Sequence, residues 1–448
     1  MKANSALRPP PSALPSKLPR WTCALAALSL AALPASAWQL TSNLTFRAEA
    51  SVKEGYDDNV YLQDTQPNLT LVPKATLPYQ GSFFTTLTPA LFLDYQPSTA
   101  FNLSASYAPA ISFYYSTPAE NNTANKMALN LGGKISTVGW ELANSLTCIA
   151  GSHEGLYYGG APTVGGNVPA IGGIPVRDRR AATIYRGRYR ATWYLDRFFV
   201  RPVTTAYVHD FNTASKDNRF GQPNYGYENY VDRWEYAGGV DVGYEFANKV
   251  QVFLGYRRGY EDDSKMPGNP YTYDTKYNRP LAGLEGQPWP WFKVALALGW
   301  DMHQTTSHVP LGFDQEYAKL WSDSSLSFLP TAKDTFTFRF TRNTQPAFSS
   351  PSIYDDTQYD LSGRHVFGPH WAAGAGVRLY NGDWFYPVLR NDWVYTASAS
   401  LAYTYNAHLS TEFTYSYDWT DCRIPQIPDT SGREFNRNLF WLAVKWSL

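Results

Sequence analysis

Odd and even positions of this chain carry different chemistry, in segment after segment. From Leu44 the apolar positions are Leu44, Phe46, Ala48, Ala50 and Val52, with Thr45, Arg47, Glu49, Ser51 and Lys53 between them. Near 231–246, Trp234, Tyr236, Gly238, Val240, Val242, Tyr244 and Phe246 alternate with Arg233, Glu235, Ala237, Gly239, Asp241, Gly243 and Glu245. Side chains of a strand point to opposite faces in turn, so this period predicts strands with one apolar and one polar face. Many segments run 11 to 16 residues. Strands of soluble sheets peak at about 5–6 residues, whereas a tilted strand needs about 9–11 to cross a bilayer.

Eighteen such segments lie between residue 43 and residue 448, with sixteen as the alternative count. Their connections alternate long and short. Long ones are 54–81, 151–180, 212–230, 261–275, 344–356 and 420–433; short ones include Leu195-Asp196-Arg197, Ala247-Asn248-Lys249 and Asn406-Ala407-His408. Short turns at one end and long loops at the other are the plan of outer-membrane barrels. The expected fold is therefore all-β, a transmembrane antiparallel up-and-down β-barrel of about 18 strands. An even count puts both termini on the short-turn, periplasmic side. Loop 151–180 is glycine-rich and reads as a surface loop, with insertion into the lumen as a constriction the alternative.

The first 37 residues are a separate unit. Lys2, Arg8, Lys17 and Arg20 precede an apolar run from Trp21 to Leu33, then Pro34 and Ala35-Ser36-Ala37. That order is a secretory leader, with cleavage expected after Ala37. The barrel is assigned to 38–448. Loss of the leader removes four basic residues and no acid, turning a formal net charge of zero into −4.

Composition excludes several classes. With 15 Trp, 33 Tyr and 24 Phe the chain is too aromatic for disorder. After residue 37 no run of about 18 apolar residues exists for a membrane helix. Neutral charge gives no reason to expect nucleic acid. Cys148 and Cys422 are read as free thiols.

Tryptophans on the apolar parity fall at strand ends. Trp234, Trp300, Trp393 and Trp419 mark the long-loop ends, and Trp140, Trp193, Trp371 and Trp446 the short-turn ends. Two girdles at the membrane interfaces are expected. The opposite parity lines the interior. Its clearest feature is Arg186, Arg188 and Arg190 on one strand, followed by Arg201 on the next; Arg233, Glu235, Asp241 and Glu245 share the parity. These eight are the candidate selectivity residues, with a mutually neutralised, salt-bridged lumen as the alternative. Inward Tyr194, Trp321, Tyr380 and Trp441 are candidate stacking surfaces.

Two features carry a family resemblance. Gly55-Tyr56-Asp57-Asp58-Asn59-Val60 ends the first strand, and Phe440, Leu442, Val444, Trp446 and Leu448 share one parity in the last. With the leader, the chain resembles bacterial outer-membrane β-barrels of the β-barrel porin 2 type. Leu448 departs from the Phe or Trp that such barrels prefer at their end. The resemblance implies an integral outer-membrane, porin-like channel for passive diffusion of small hydrophilic solutes. Two other roles stay open, a barrel of an exopolysaccharide or surface-polysaccharide export system and a plugged structural or adhesive barrel. Expected partners are outer-membrane lipids, lipopolysaccharide and the barrel-assembly machinery. A homo-oligomer and periplasmic polysaccharide-export partners remain alternatives.

No enzyme, cofactor or metal is expected. His408-Leu409-Ser410 with Glu412 superficially resembles an acid–His–nucleophile set, but a turn histidine is the simpler reading. Asp57-Asp58, Glu261-Asp262-Asp263 and Asp355-Asp356 lack the spacing of a calcium loop and read as solvated loop charge.

Overall fold

A computed structural model of the chain describes residues 38–62, 79–150, 182–211, 232–247, 250–263, 272–309, 311–346, 353–385, 389–423, 425 and 434–447. The leader, loop 151–180 and Leu448 lie outside them. Twenty strand segments form one sheet. In chain order β1 to β7 are Trp38–Thr41, Leu44–Asp57, Ser82–Tyr95, Asn102–Tyr107, Ala110–Tyr114, Asn122–Ile135 and Val138–Ala150. β8 to β13 are Ala182–Leu195, Phe198–Phe211, Arg233–Glu245, Gln251–Asp263, Thr275–Trp289 and Phe292–Thr305. β14 to β20 are Glu316–Phe328, Asp334–Pro346, Ile353–Val366, Trp371–Trp384, Arg390–Thr404, Leu409–Arg423 and Asn436–Ser447.

Every neighbour is antiparallel, and β2 pairs with β20, so the sheet closes. β4 and β5 are two halves of one wall strand, both pairing with β3 and β6. The break falls at Ala108 and Pro109, where proline has no N–H for the ladder. β1 is an extra short strand that sequence reading missed, paired to the start of β2. The wall is therefore an eighteen-strand closed barrel. No α-helix occurs among the described residues.

The parity expectation holds around the wall. Phe83, Leu91, Tyr189, Val242, Leu254, Leu298, Leu361, Val377, Leu401, Phe413 and Leu442 are exposed on the outer face. With no carboxylate or amine among them, this belt is stable only against lipid. Trp193, Trp300, Trp371 and Trp419 are exposed on the same face at strand ends. Trp140, Trp234 and Trp393 share that face and are half-buried; Trp446 shares the parity but is buried. A stacked Trp289–Trp291 pair, centroids 5.3 Å apart, adds to the short-turn end.

Candidate functional site: a lumen with a packed mouth

All eight candidate selectivity residues lie on the inward parity, but they divide into two groups. The arginine strand points inward as read. Arg188 and Arg190 both bind Glu141, at 2.9 and 2.7 Å. Arg186 lies over the Tyr207 ring, its guanidinium carbon 5.1 Å from the centroid. Arg201 and Asp241 are instead buried and joined at 3.0 Å, with Glu285 of β12 also on Arg201. Arg233 is buried between Glu235 and Glu261. Glu245 accepts from Gln251. Thus Arg201, Arg233 and Asp241 are internal struts, while the Arg186–Arg190 strand remains on the water-accessible wall.

The long-loop end of the lumen is filled. The first contribution comes from the end of β2. A Cβ on Gly55 would lie 2.5 Å from the Phe440 carbonyl oxygen, so glycine lets β20 close against β2 there. Asp57 is fully buried and accepts from Arg437 Nε of β20 at 2.9 Å. Asp58 accepts from the Asn438 backbone N–H at 2.7 Å, and Asn59 Nδ2 donates to the Asn436 carbonyl at 2.9 Å. The Tyr-Asp-Asp-Asn-Val element is thus the clasp that joins the first and last wall strands. It also steers the following residues inward. Val60, Tyr61 and Leu62 are buried, and Leu62 packs with Tyr354, Tyr380, Trp384, Val394 and Phe435.

The second contribution is the tip of the β15–β16 hairpin. β14 and β15 are paired only from Ser322↔Arg342 to Phe328↔Phe336, although both strands continue. Beyond Arg342 the hairpin leaves β14 and leans over the lumen. Both parities are then covered, and residues 353–357 are all buried. Gln345 Oε1 there accepts from Arg233 Nη1, at 2.9 Å, across from β10. Asp355 binds Arg342 at 2.9 Å and Lys319 at 3.4 Å.

These contacts correct the solvated-charge expectation for three acidic clusters. Asp57, Glu261, Asp263, Asp355 and Asp356 are buried. Sequence could not show this, because the burial comes from distant partners: Arg437 on Asp57, Arg233 on Glu261, and the departing hairpin tip around Asp355 and Asp356. The only residue-level clue is Asn and Gln among aromatics in a supposed loop.

Below the packed mouth the interior opens. Thr337, Ser362, Gly376, Ser398 and Ser416 form a small polar wall with Arg339, Arg364, Arg378, Glu412 and Trp441 around it. Arg47, Lys126, Lys134, Arg186, Arg188, Lys293, Arg339, Arg364, Arg378 and Lys445 are exposed on the inward parity. Among the described residues, Asp94 and Asp323 are the exposed acids of that parity. Other acids are drawn down onto the wall: Glu49 serves Arg47 and Lys445, and Glu141 serves two arginines. Aromatic inward residues also meet cations, Trp321 under Arg279 at 4.2 Å and Trp441 under Lys53 at 4.4 Å. Tyr380 is buried in the mouth cluster instead. His408 Nδ1 lies 3.2 Å from the Ser447 carbonyl, a turn contact. Cys148 is half-buried and Cys422 buried, and no disulfide joins them.

The register makes a direct prediction. Single cysteines replacing Arg188 and Arg190 should react with a water-soluble thiol reagent in liposomes, and one replacing Tyr189 should not. Equal labelling at the three positions would invert or erase the assignment of faces.

A closed eighteen-strand wall, an apolar outer belt and an ionised, partly open interior define a transmembrane β-barrel of the outer-membrane type. No protein-family model matches the sequence and no curated protein matches it. Among solved structures, the chain is similar to the outer membrane protein OpdK from Pseudomonas aeruginosa, at TM-score 0.41 and 10% identity, over 90% of this chain and 99% of that one. It is similar to OccAB3 of Acinetobacter baumannii at TM-score 0.43 and 10% identity, with the same two coverages of 90% and 99%. At this distance the likeness is one of general barrel shape, and the class rests on the chain's own geometry.

Proposed function

We propose that the protein is a narrow outer-membrane channel for small hydrophilic solutes with a preference for anions. The observation that carries this reading is the imbalance of exposed charge in the lumen. Ten exposed cations face two exposed acids there, among the described residues. Rings and rows of pore-lining charge set ion selectivity, and arginine adds bidentate recognition of carboxylate and phosphate. The packed mouth sets the size limit. It does not suit passage of a polymer, so the polysaccharide-export reading is disfavoured. The leader 1–37 is cleaved after Ala37, and the short turns and both strand termini face the periplasm. No catalytic role is assigned, since His408 is held by the backbone beside a turn.

The test is single-channel recording of the mature protein in a planar bilayer under a salt gradient. The expected reversal potential has the sign of anion preference, and Arg188→Glu with Arg378→Glu should move it toward zero or beyond. Conductance with cation preference in the native protein would sink the reading. A second reading, a structural barrel closed at its mouth, is favoured by the packing of Leu62 and the Arg233–Gln345 contact. It predicts no steady current from the native protein.

A further inference from the structure

The outer wall carries a feature that a channel does not need. Along one hydrogen-bonded row of the sheet, Asn144, Gly187, Ala206, Tyr236, Tyr260 and Lys276 follow one another from β7 to β12. The next row contains Thr204, Gly238 and Arg258. All lie on the lipid-facing parity and line one groove. Ala206 and Gly238 remove bulk from its floor, while the Tyr185 side chain lies over Gly187 and donates to Asn144 Oδ1 at 2.7 Å. Tyr185 and Tyr189 border it, and Arg258 and Lys276 stand at one end.

Those two cations are unusual for their surroundings. Both are exposed on the lipid face, and neither makes an ion pair or hydrogen bond within the described structure. Asp262 and Asp274 stand one row nearer the loops, and Asp274 is already engaged by the Asp263 backbone N–H at 3.0 Å. An arginine on a lipid face is costly at depth and tolerated only near an interface or with an anionic partner.

The groove is inclined in a way that fits one kind of occupant. Lys276 is the second residue of β12 from the long-loop end, whereas Asn144 lies six residues from the same end of β7. The cationic end is therefore close to the rim and the small-residue end deeper in the membrane. Five inter-strand spacings give a length of about 24 Å, which exceeds the roughly 15 Å of one hydrocarbon leaflet. A phosphate at the rim and an acyl chain along the floor would fill it.

We infer that this groove is a binding site for an anionic, phosphate-bearing lipid of the leaflet on the long-loop side, held by Arg258 and Lys276 and seated on Ala206 and Gly238. A second copy of the chain fits less well. A two-fold contact centred on the groove would set the cationic end of each copy against the small-residue end of the other and leave all four cations without an anion. The inference rests on the membrane-spanning fold and not on whether the lumen conducts.

The probe is diphosphoryl lipid A, added to the mature protein in neutral detergent and read by native mass spectrometry, with phosphatidylcholine and inorganic phosphate as controls. Lipid A should bind with a first site that phosphatidylcholine and phosphate do not fill. Arg258→Gln with Lys276→Gln should weaken that site about tenfold or more. Gly238→Leu, which fills the floor and keeps both charges, should weaken it as well. All variants should keep native channel conductance, so loss of the lipid site and loss of the channel are separable. Unchanged lipid A affinity in both variants, equal binding of phosphatidylcholine, or a dimer that the charge variant abolishes would each overturn the assignment.

Discussion

Replacing Val60, Tyr61 and Leu62 by Gly, Ser and Gly is expected to raise single-channel conductance several-fold. These three side chains anchor the start of the first long connection inside the barrel, and each is no more than 9% exposed. Burying an aliphatic or aromatic side chain is worth about 1.5–3 kcal/mol, so losing three of them removes most of the force that docks the loop. The hairpin tip should respond too, because Leu62 packs with Tyr354 of that tip and with Trp384, which stacks on Tyr354. Gln345→Ala, which cuts the contact to Arg233, should add to the effect. If the native protein carries small currents, they should grow; if it carries none, the variant should open it. That distinction separates a narrow channel from a closed barrel. Unchanged current in the triple variant would show that this loop does not limit the lumen.

The wall of this barrel is legible in the sequence because its stability depends on a local pattern. Lipid outside and charge inside force alternation, and the alternation of Trp234 to Phe246 reports both faces without any distant information. The inward direction of Arg186, Arg188 and Arg190 follows from the same rule. Where the pattern misleads, a non-local event intervenes. Asp355 and Asp356 read as solvated loop charge, yet their hairpin leaves β14 and is covered on both sides. Leu62 carries no mark of lying among Tyr354, Tyr380 and Phe435, which come from the far end of the chain. Arg201 and Arg233 have the parity of pore residues, but acids of their own and neighbouring strands enclose them as buried struts. The glycine-rich 151–180 loop, read as a surface loop, lies outside the described residues; the described constriction comes from the Tyr56–Val60 element and the β15–β16 tip.

That element also makes the largest stability prediction. Arg437→Ala should cost about 3–5 kcal/mol, the usual effect of removing one partner from a buried ion pair. Asp57 is fully buried, and Arg437 donates to it from Nε at 2.9 Å while its Nη1 lies 3.8 Å from Asp418. Without the guanidinium, a carboxylate is left in the seam between the first and last wall strands, where the barrel closes. Arg437→Lys should fall between, because an ammonium keeps the charge and loses the two-pronged contact. Replacing both partners, Asp57→Asn with Arg437→Gln, should recover part of the loss, since no uncompensated charge remains. Arg423→Ala is the matched control: its pair with Asp421 is exposed, the arginine side chain 77% so, and such pairs contribute about 0–1 kcal/mol. Urea unfolding in detergent micelles, followed by tryptophan emission, measures all four. Equal midpoints for Arg437→Ala and Arg423→Ala would mean that the clasp does not hold the seam, and that β2 and β20 are kept together by their backbone ladder alone.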